Sequence, residues 1–339
     1  MSAAKKLINP LFFVAGLVLL SFLIRKFGYM ELVRTFRDLG WDLIYVLVIP
    51  FSWYSLHTLG WYLALEETGR HINFWSLLKI KLGGESVNTL TPVSFMGGDP
   101  VRILLLKKRM PGTLSTASVV LDRTMQSLGT VILLTIGMFC AWVALDLPSA
   151  WKILFPVITG GIGGLTWFFI HRQKKGIFDF LTRAVSRFGF RKLRAEKFLK
   201  PIEEIDGRIS HFYHHNPRRF YTVLACHLTG RLCGVAEIYL VAHFMSIPLP
   251  LLGALYLATL TVLVNIVFVF IPGSMGVMEG AYGILLHLLG LNPIAGVAIQ
   301  LVRRLRTIVW IFIGLSLMFL YNRLSNRTVA GTAGPAGAV

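Results

Sequence analysis

A chain of 339 residues that is 55% hydrophobic and only 15% charged, with a mean hydropathy of +0.67, is too apolar for an ordinary soluble domain. Its 34 Lys and Arg against 16 Asp and Glu leave a net charge of +18, an excess that in a membrane protein belongs to cytoplasmic loops and anionic headgroups, not to nucleic acid. Cys140, Cys226 and Cys233 all lie in apolar segments without CxxC or Cys/His spacing, which gives no support to a disulfide framework or a zinc site.

A membrane span takes roughly 20 mostly apolar residues. Lys5 and Lys6 precede the first such run, Leu7–Ile24. Arg25-Lys26 follow it where a signal peptide would show a small-residue cleavage site, so it reads as an uncleaved first span. Next come Leu43–Leu65, Ala117–Leu145, Trp151–Ile170, Tyr221–Met245, Leu251–Ile271 and Pro293–Leu320. Phe74–Leu106 and Pro272–Leu289 are apolar but interrupted, and read as re-entrant or broken helices. The expected fold is all-α, a polytopic membrane helix bundle of about seven spanning helices plus these two irregular segments. Residues 1–322 are read as one membrane domain and 323–339 as a disordered tail rich in Ala, Gly and Thr.

Residues 171–219 carry thirteen Lys and Arg against five Asp and Glu, a net +8, so the positive-inside rule places this loop in the cytoplasm. The N-terminus then also lies inside and Asp146–Ala150 outside. The Arg25–Asp42 connection faces outside in spite of Arg25, Lys26, Arg34 and Arg37. Within the loop, Phe198, Ile202, Ile205, Ile209 and Phe212 share one helical face, and Ile177, Leu181, Val185 and Phe188 form a second stripe. Two basic amphipathic helices at the headgroups fit these stripes, as does a helical hairpin packed on the protein's own underside.

The two irregular segments carry matching features. Pro92–Arg102 reads Pro-Val-Ser-Phe-Met-Gly-Gly-Asp-Pro-Val-Arg, and Pro272–Gly280 reads Pro-Gly-Ser-Met-Gly-Val-Met-Glu-Gly. Broken backbone at membrane depth survives only against protein or a watery cavity, and two such breaks in corresponding halves point to a transporter-like site. Ionisable groups in apolar surroundings are functional candidates by default. Here they are Glu85, Asp99, Arg102, Asp122, Arg123, Arg231, Glu237 and Glu279, with Asn88 near Glu85. Asp99 is expected to cap a helix starting at Pro100, with Gly97 and Gly98 allowing a sharp turn. Arg102 is either a membrane-surface anchor or a phosphate ligand. Adjacent residues on a helix point about 100° apart, so Asp122 and Arg123 should each find a partner on another helix. The same holds for Arg231 and Glu237. His57, His227, His243 and His287 read as hydrogen-bonded core histidines, and Arg303-Arg304-Arg306 as a membrane boundary or an anionic-lipid site. No nucleophile–base constellation and no phosphate-cradling loop stands out, so neither catalytic residues nor a cofactor is expected.

The run Asn88-Thr89-Leu90-Thr91-Pro92, then Gly97-Gly98-Asp99-Pro100-Val101-Arg102, then Ser118-Val119-Val120-Leu121-Asp122-Arg123, resembles the lysylphosphatidylglycerol synthase transmembrane-region family of flippase-like membrane proteins. Pro272–Gly280 is similar to that family's second signature, a Pro/Ser/Gly loop ending in Gly-x-x-Glu. Ser274-Met275 stands where the family often carries a Gly pair. The resemblance runs from about Leu7 to Tyr321. It implies a multi-pass protein of the bacterial inner membrane that handles amphipathic lipids, here a stand-alone member without the soluble aminoacyl-transferase domain.

The expected function is translocation of a phospholipid or glycolipid between leaflets, with Arg102 and Arg123 on phosphate and Asp99 and Glu279 attracting a cationic group or relaying a proton. Two alternatives stay open. One is a non-catalytic partner presenting a lipid to a separate enzyme, and the other is an intramembrane transferase acting on a lipid-linked group. Expected partners are the lipid substrate, anionic membrane lipids, and either a second copy or a lipid-modifying enzyme. Nucleic acid is not among them.

Overall fold

The computed structural model describes residues 39–66, 72–91, 97–144, 149–176, 180, 196–215, 217–268 and 276–332. Among them every regular element is an α-helix: α1 (Asp42–Glu66), α2 (Phe74–Leu90), α3 (Gly98–Leu106), α4 (Gly112–Ala144), α5 (Ser149–Lys174), α6 (Glu196–His215), α7 (Pro217–Phe244), α8 (Leu251–Val267), α9 (Val277–Leu288) and α10 (Pro293–Thr332).

Five of these, α1, α4, α5, α7 and α10, are long and apolar enough to cross a membrane. They correspond to five of the seven expected spans; Leu7–Ile24 lies outside the described residues. Leu251–Ile271 is represented by α8, which has 17 residues. The irregular segments contain short helices. α2 has 17 residues and α3 has 9, and at 1.5 Å per residue α3 rises only about 14 Å. α9 has 12 residues. α10 runs to Thr332, into the stretch 323–339 that was expected to be a disordered tail. Residues 333–339 lie outside the described residues.

α7 lies along α1 and α10 along α2, while α4 contacts α1, α7 and α8. Four apolar clusters result among the described residues, of which two are the main cores. One joins Val46, Leu133, Val235, Ile238, Leu257, Tyr282, Ile299 and Val302. The other joins Trp61, Leu65, Leu77, Ile80, Leu106, Leu114, Leu315 and Met318. The long helices pass through more than one apolar region, and polar residues occupy the passage: His57 on α1, Asp122, Arg123 and Gln126 on α4, His227 and Arg231 on α7, and Arg303 and Arg306 on α10. The seam between the cores is thus built by sequence position.

α6 settles on the bundle. Its Ile209 and Phe212 are fully buried with Ala64, Ala117, Leu121, Met125 and Val223, so this stripe packs on the protein's own underside. The stripe Ile177, Leu181, Val185 and Phe188 lies outside the described residues. Within α6, Arg208 donates to Glu204 at 2.8 Å, and this hydrogen bond holds the Glu204 carboxyl below the usual carboxylate range. The most hydropathic 18-residue window of α5 buries none of its residues. It is held near its end by Gln173, which donates to Thr124 at 2.7 Å and accepts from Tyr213 at 2.8 Å.

Candidate functional site

The first polar group is centred on Asp122, whose side chain is wholly buried. Lys81 of α2 donates to both of its carboxylate oxygens at 2.9 and 2.8 Å, and Arg102 of α3 donates to Oδ2. Arg102 also reaches Asp99 at 3.1 Å and stacks its guanidinium 4.0 Å from the centre of the buried Trp61 ring. Arg123 clamps Asp99 through two donors at 2.9 and 3.0 Å and lies 3.9 Å from Glu85. α2, α3 and α4 are therefore joined by alternating charges. Such charges are tolerable in a low-dielectric interior only because each has an opposite neighbour and hydrogen bonds.

The expectation that Asp99 caps the backbone of α3 does not hold. α3 begins at Gly98, and the Gly98 N–H donates to Asn88 Oδ1 of α2 at 2.7 Å, which leaves Asp99 free for the two arginines. Nor do Gly97 and Gly98 make a left-handed turn, since Gly97 has φ −74°. Gly98 is required by proximity instead: a Cβ there would fall 2.0 Å from the Gly84 carbonyl oxygen, and one on Gly84 would fall 2.4 Å from Arg102 Cγ. Two bare glycines let α2 and α3 touch and thread Arg102 between them.

The second polar group sits on α7, α9 and α10. Arg306 lies 3.1 Å from the buried Glu237, and Arg303 lies 4.0 Å from it. Arg303 also donates to Tyr282, whose hydroxyl pairs with Thr261 at 2.7 Å. Arg304 donates to Glu279, with one contact at 2.9 Å. Glu279 in turn accepts from the Gly276 N–H at 2.8 Å. Gly276 has φ +80°, a conformation open chiefly to glycine. The cluster Arg303, Arg304 and Arg306, read from sequence as a membrane boundary or an anionic-lipid site, supplies the counterions of both acids of the second half.

A partly open cavity of about 240 Å³ lies between the two groups. Lys81 and Glu85 line it from the first group, Glu237, Arg303 and Arg306 from the second, and His57, Gln126 and Arg231 from the helices between. His57 meets His227 through their Nδ1 atoms at 2.9 Å, and His227 Nε2 lies 3.4 Å from Asp122 Oδ1, so a chain of titratable rings leads from the cavity wall to Asp122. A larger cavity of about 480 Å³ lies under α6, lined by apolar residues with Glu204, Arg208 and His211. It holds none of the buried ion network.

Of the nine residues singled out in the sequence, Glu85, Asn88, Asp99, Arg102, Asp122 and Arg123 come together in one network. Glu85, Arg231 and Glu237 line the cavity. Asp99 and Glu279 do not face each other across it; Glu85 and Glu237 take those places. Arg231 does not pair across to another described helix as expected: among the described residues no hydrogen bond or ion pair reaches it, and its Nε is buried without a partner. Sequence reasoning missed Lys81, although a lysine four residues before Glu85 in an apolar segment was a signal. It also missed the pairing role of the three arginines, which sit near the middle of the run Pro293–Leu320 and so could not mark its end. Across the two groups and the cavity wall, and among the described residues, seven cations (Lys81, Arg102, Arg123, Arg231, Arg303, Arg304, Arg306) meet five carboxylates.

The sequence profile of the family described as the lysylphosphatidylglycerol synthase TM region matches residues 8–315. A UPF0104 membrane protein of Methanothermobacter thermautotrophicus is 24% identical over 307 residues, covering 86% of this chain and 89% of its own length. No solved structure matches.

Proposed function

Because the chain belongs to the lysylphosphatidylglycerol synthase transmembrane-region family, we propose that this integral membrane protein moves an amphipathic phospholipid or glycolipid between the leaflets of the plasma (inner) membrane. The observation that carries the reading is the cavity walled by charged groups between two apolar cores. Intramembrane charges that do not simply cancel mark substrate pathways, and a headgroup crossing hydrocarbon needs such a lining. The cavity is smaller than the roughly 300–1,000 Å³ of pockets that enclose a drug-sized ligand. It therefore takes the headgroup alone, while the acyl chains stay against exposed apolar faces such as Ile266, Ile284 and Leu288. In this reading the loop 171–219 and the N-terminus face the cytoplasm, and the two ion networks hold the walls at a fixed separation.

The test is reconstitution of the purified chain into phosphatidylcholine vesicles carrying a trace of nitrobenzoxadiazole-labelled phosphatidylglycerol. Dithionite should quench the label on both leaflets if the chain moves lipid, and only the outer half otherwise. Quenching that stops at the outer half, in vesicles shown to contain folded protein, rejects translocation by the chain alone.

A further inference from the structure

We propose that the cavity is an oxyanion site in which Arg231 and Gln126 hold a phosphate group, so that the headgroup accepted is net anionic rather than cationic. The proposal deepens the translocation reading and rests on it for its cargo, though not for the binding itself.

Arg231 lines the cavity; among the described residues no hydrogen bond or ion pair reaches it, and its Nε is buried without a partner. Gln126 lines the same wall, is 8% exposed, and its Oε1 is likewise buried and unpartnered. Leaving a buried polar group unsatisfied is costly, and the cavity wall carries five such atoms, Arg231 Nε, Arg303 Nε, Gln126 Oε1, Glu85 Oε1 and Glu237 Oε1, which marks it for a polar ligand. The acids that share this wall pair with other residues, Glu85 with Arg123 and Asn88 and Glu237 with Arg306, and neither forms an ion pair with Arg231 among the described residues.

The charge count gives the sign of that ligand. Two more cations than carboxylates surround the cavity, and a surplus of positive charge in low dielectric calls for an anion. A guanidinium offers its donors in a planar fork that matches two oxygens of a phosphate, and the Gln126 amide supplies further donors once its orientation is set by the ligand. A phosphodiester headgroup without an added amine reduces the surplus. A lysyl-esterified headgroup, with two ammonium groups against one phosphate, is net positive and would increase it.

A lipid phosphate and a free phosphate ester share this chemistry, and separate probes distinguish them. Calorimetry on the detergent-purified chain would use dihexanoyl phosphatidylglycerol, its lysyl ester and glycerol 1-phosphate. Dihexanoyl phosphatidylglycerol should bind the wild type at least tenfold more tightly than the lysyl ester. Arg231→Gln should weaken that binding tenfold or more, and Arg231→Lys should weaken it less. Binding of the lipid but not of glycerol 1-phosphate identifies a lipid headgroup, and equal binding of both identifies a free phosphate ester; each supports the oxyanion site. Gln126→Leu breaks no ion pair and should weaken binding several-fold, so it decides the matter if Arg231→Gln does not fold. Unchanged affinity in folded Arg231→Gln or Gln126→Leu, or tighter binding of the lysyl ester, overturns the proposal. Binding through Arg231 without transfer between leaflets would reject translocation and leave the site standing. Transfer with unaltered binding in Arg231→Gln would do the reverse.

Discussion

Asp122 and Arg231 lie in one interior, yet they should respond oppositely to neutralisation. Asp122→Asn removes the shared partner of Lys81 and Arg102, both with essentially no exposed side-chain surface. An uncompensated buried charge costs about 3–5 kcal/mol, so the variant should melt far below the wild type or fail to accumulate. Arg231→Gln breaks no pair and should shift stability by about 1 kcal/mol or less, the ordinary range where no contact is lost. Thermal melting of both variants in one detergent checks the contrast; equal losses would mean that Arg231 has a structural partner. The sequence was informative here in a particular way. That Asp122 and Arg123 must each look to another helix rather than to one another followed from the angle between neighbours, and they do, both reaching α2 and α3. Which helices supply their partners did not follow, because Lys81, Asp99 and Arg102 reach them across 20 to 41 positions of chain that only folding brings together.

Glycines give the helices opposite tolerances. A methyl on Gly84 would meet the stem of Arg102 and the carbonyl of Gly98. The Arg102 guanidinium is pinned through both terminal nitrogens by Asp99 and Asp122, which limits how far its stem can step aside. Gly84→Ala should cost about 1–3 kcal/mol, the usual price of overpacking. On α5, Gly163 has nothing within 4 Å of a methyl, and Gly163→Ala should gain up to about 1 kcal/mol from helix propensity. Melting temperatures moving in opposite directions would confirm the assignment; a loss at Gly163 would mean that α5 packs against something there. Similarly, Phe212→Ala in α6 removes a fully buried ring and should cost about 3–5 kcal/mol. Hydrogen exchange of Ile205–Tyr213 should be slow in anionic and neutral liposomes alike, whereas protection only with anionic lipid would contradict the buried stripe. Periodicity revealed that α6 had an apolar face. It was silent on what covers that face, because lipid and protein look the same to a hydrophobic stripe.

At the scale of the whole molecule, helix number and class were legible because long apolar runs have few alternatives. The seam between the cores was not, since it arises when α1, α4, α7 and α10 align their polar turns at one level. The proposed orientation rests on the charge of 171–219: a reporter fused near Lys192 should behave as cytoplasmic and one near Pro148 as external, and export of the Lys192 fusion would reverse the topology. The network around Asp122 also bears on biogenesis. α2 carries Lys81 and Glu85, α3 carries Arg102, and α4 carries Asp122 and Arg123. A lone helix brings each such charge into hydrocarbon at about 2.5–3.5 kcal/mol on translocon scales. Cancellation is complete only when the three helices meet. α2 and α3 should therefore linger beside the insertion channel until α4 emerges from the ribosome, and all three should enter lipid as one parcel. A nascent chain arrested before Asp122 should crosslink to the channel through α2, and extending synthesis past Ala144 should release it.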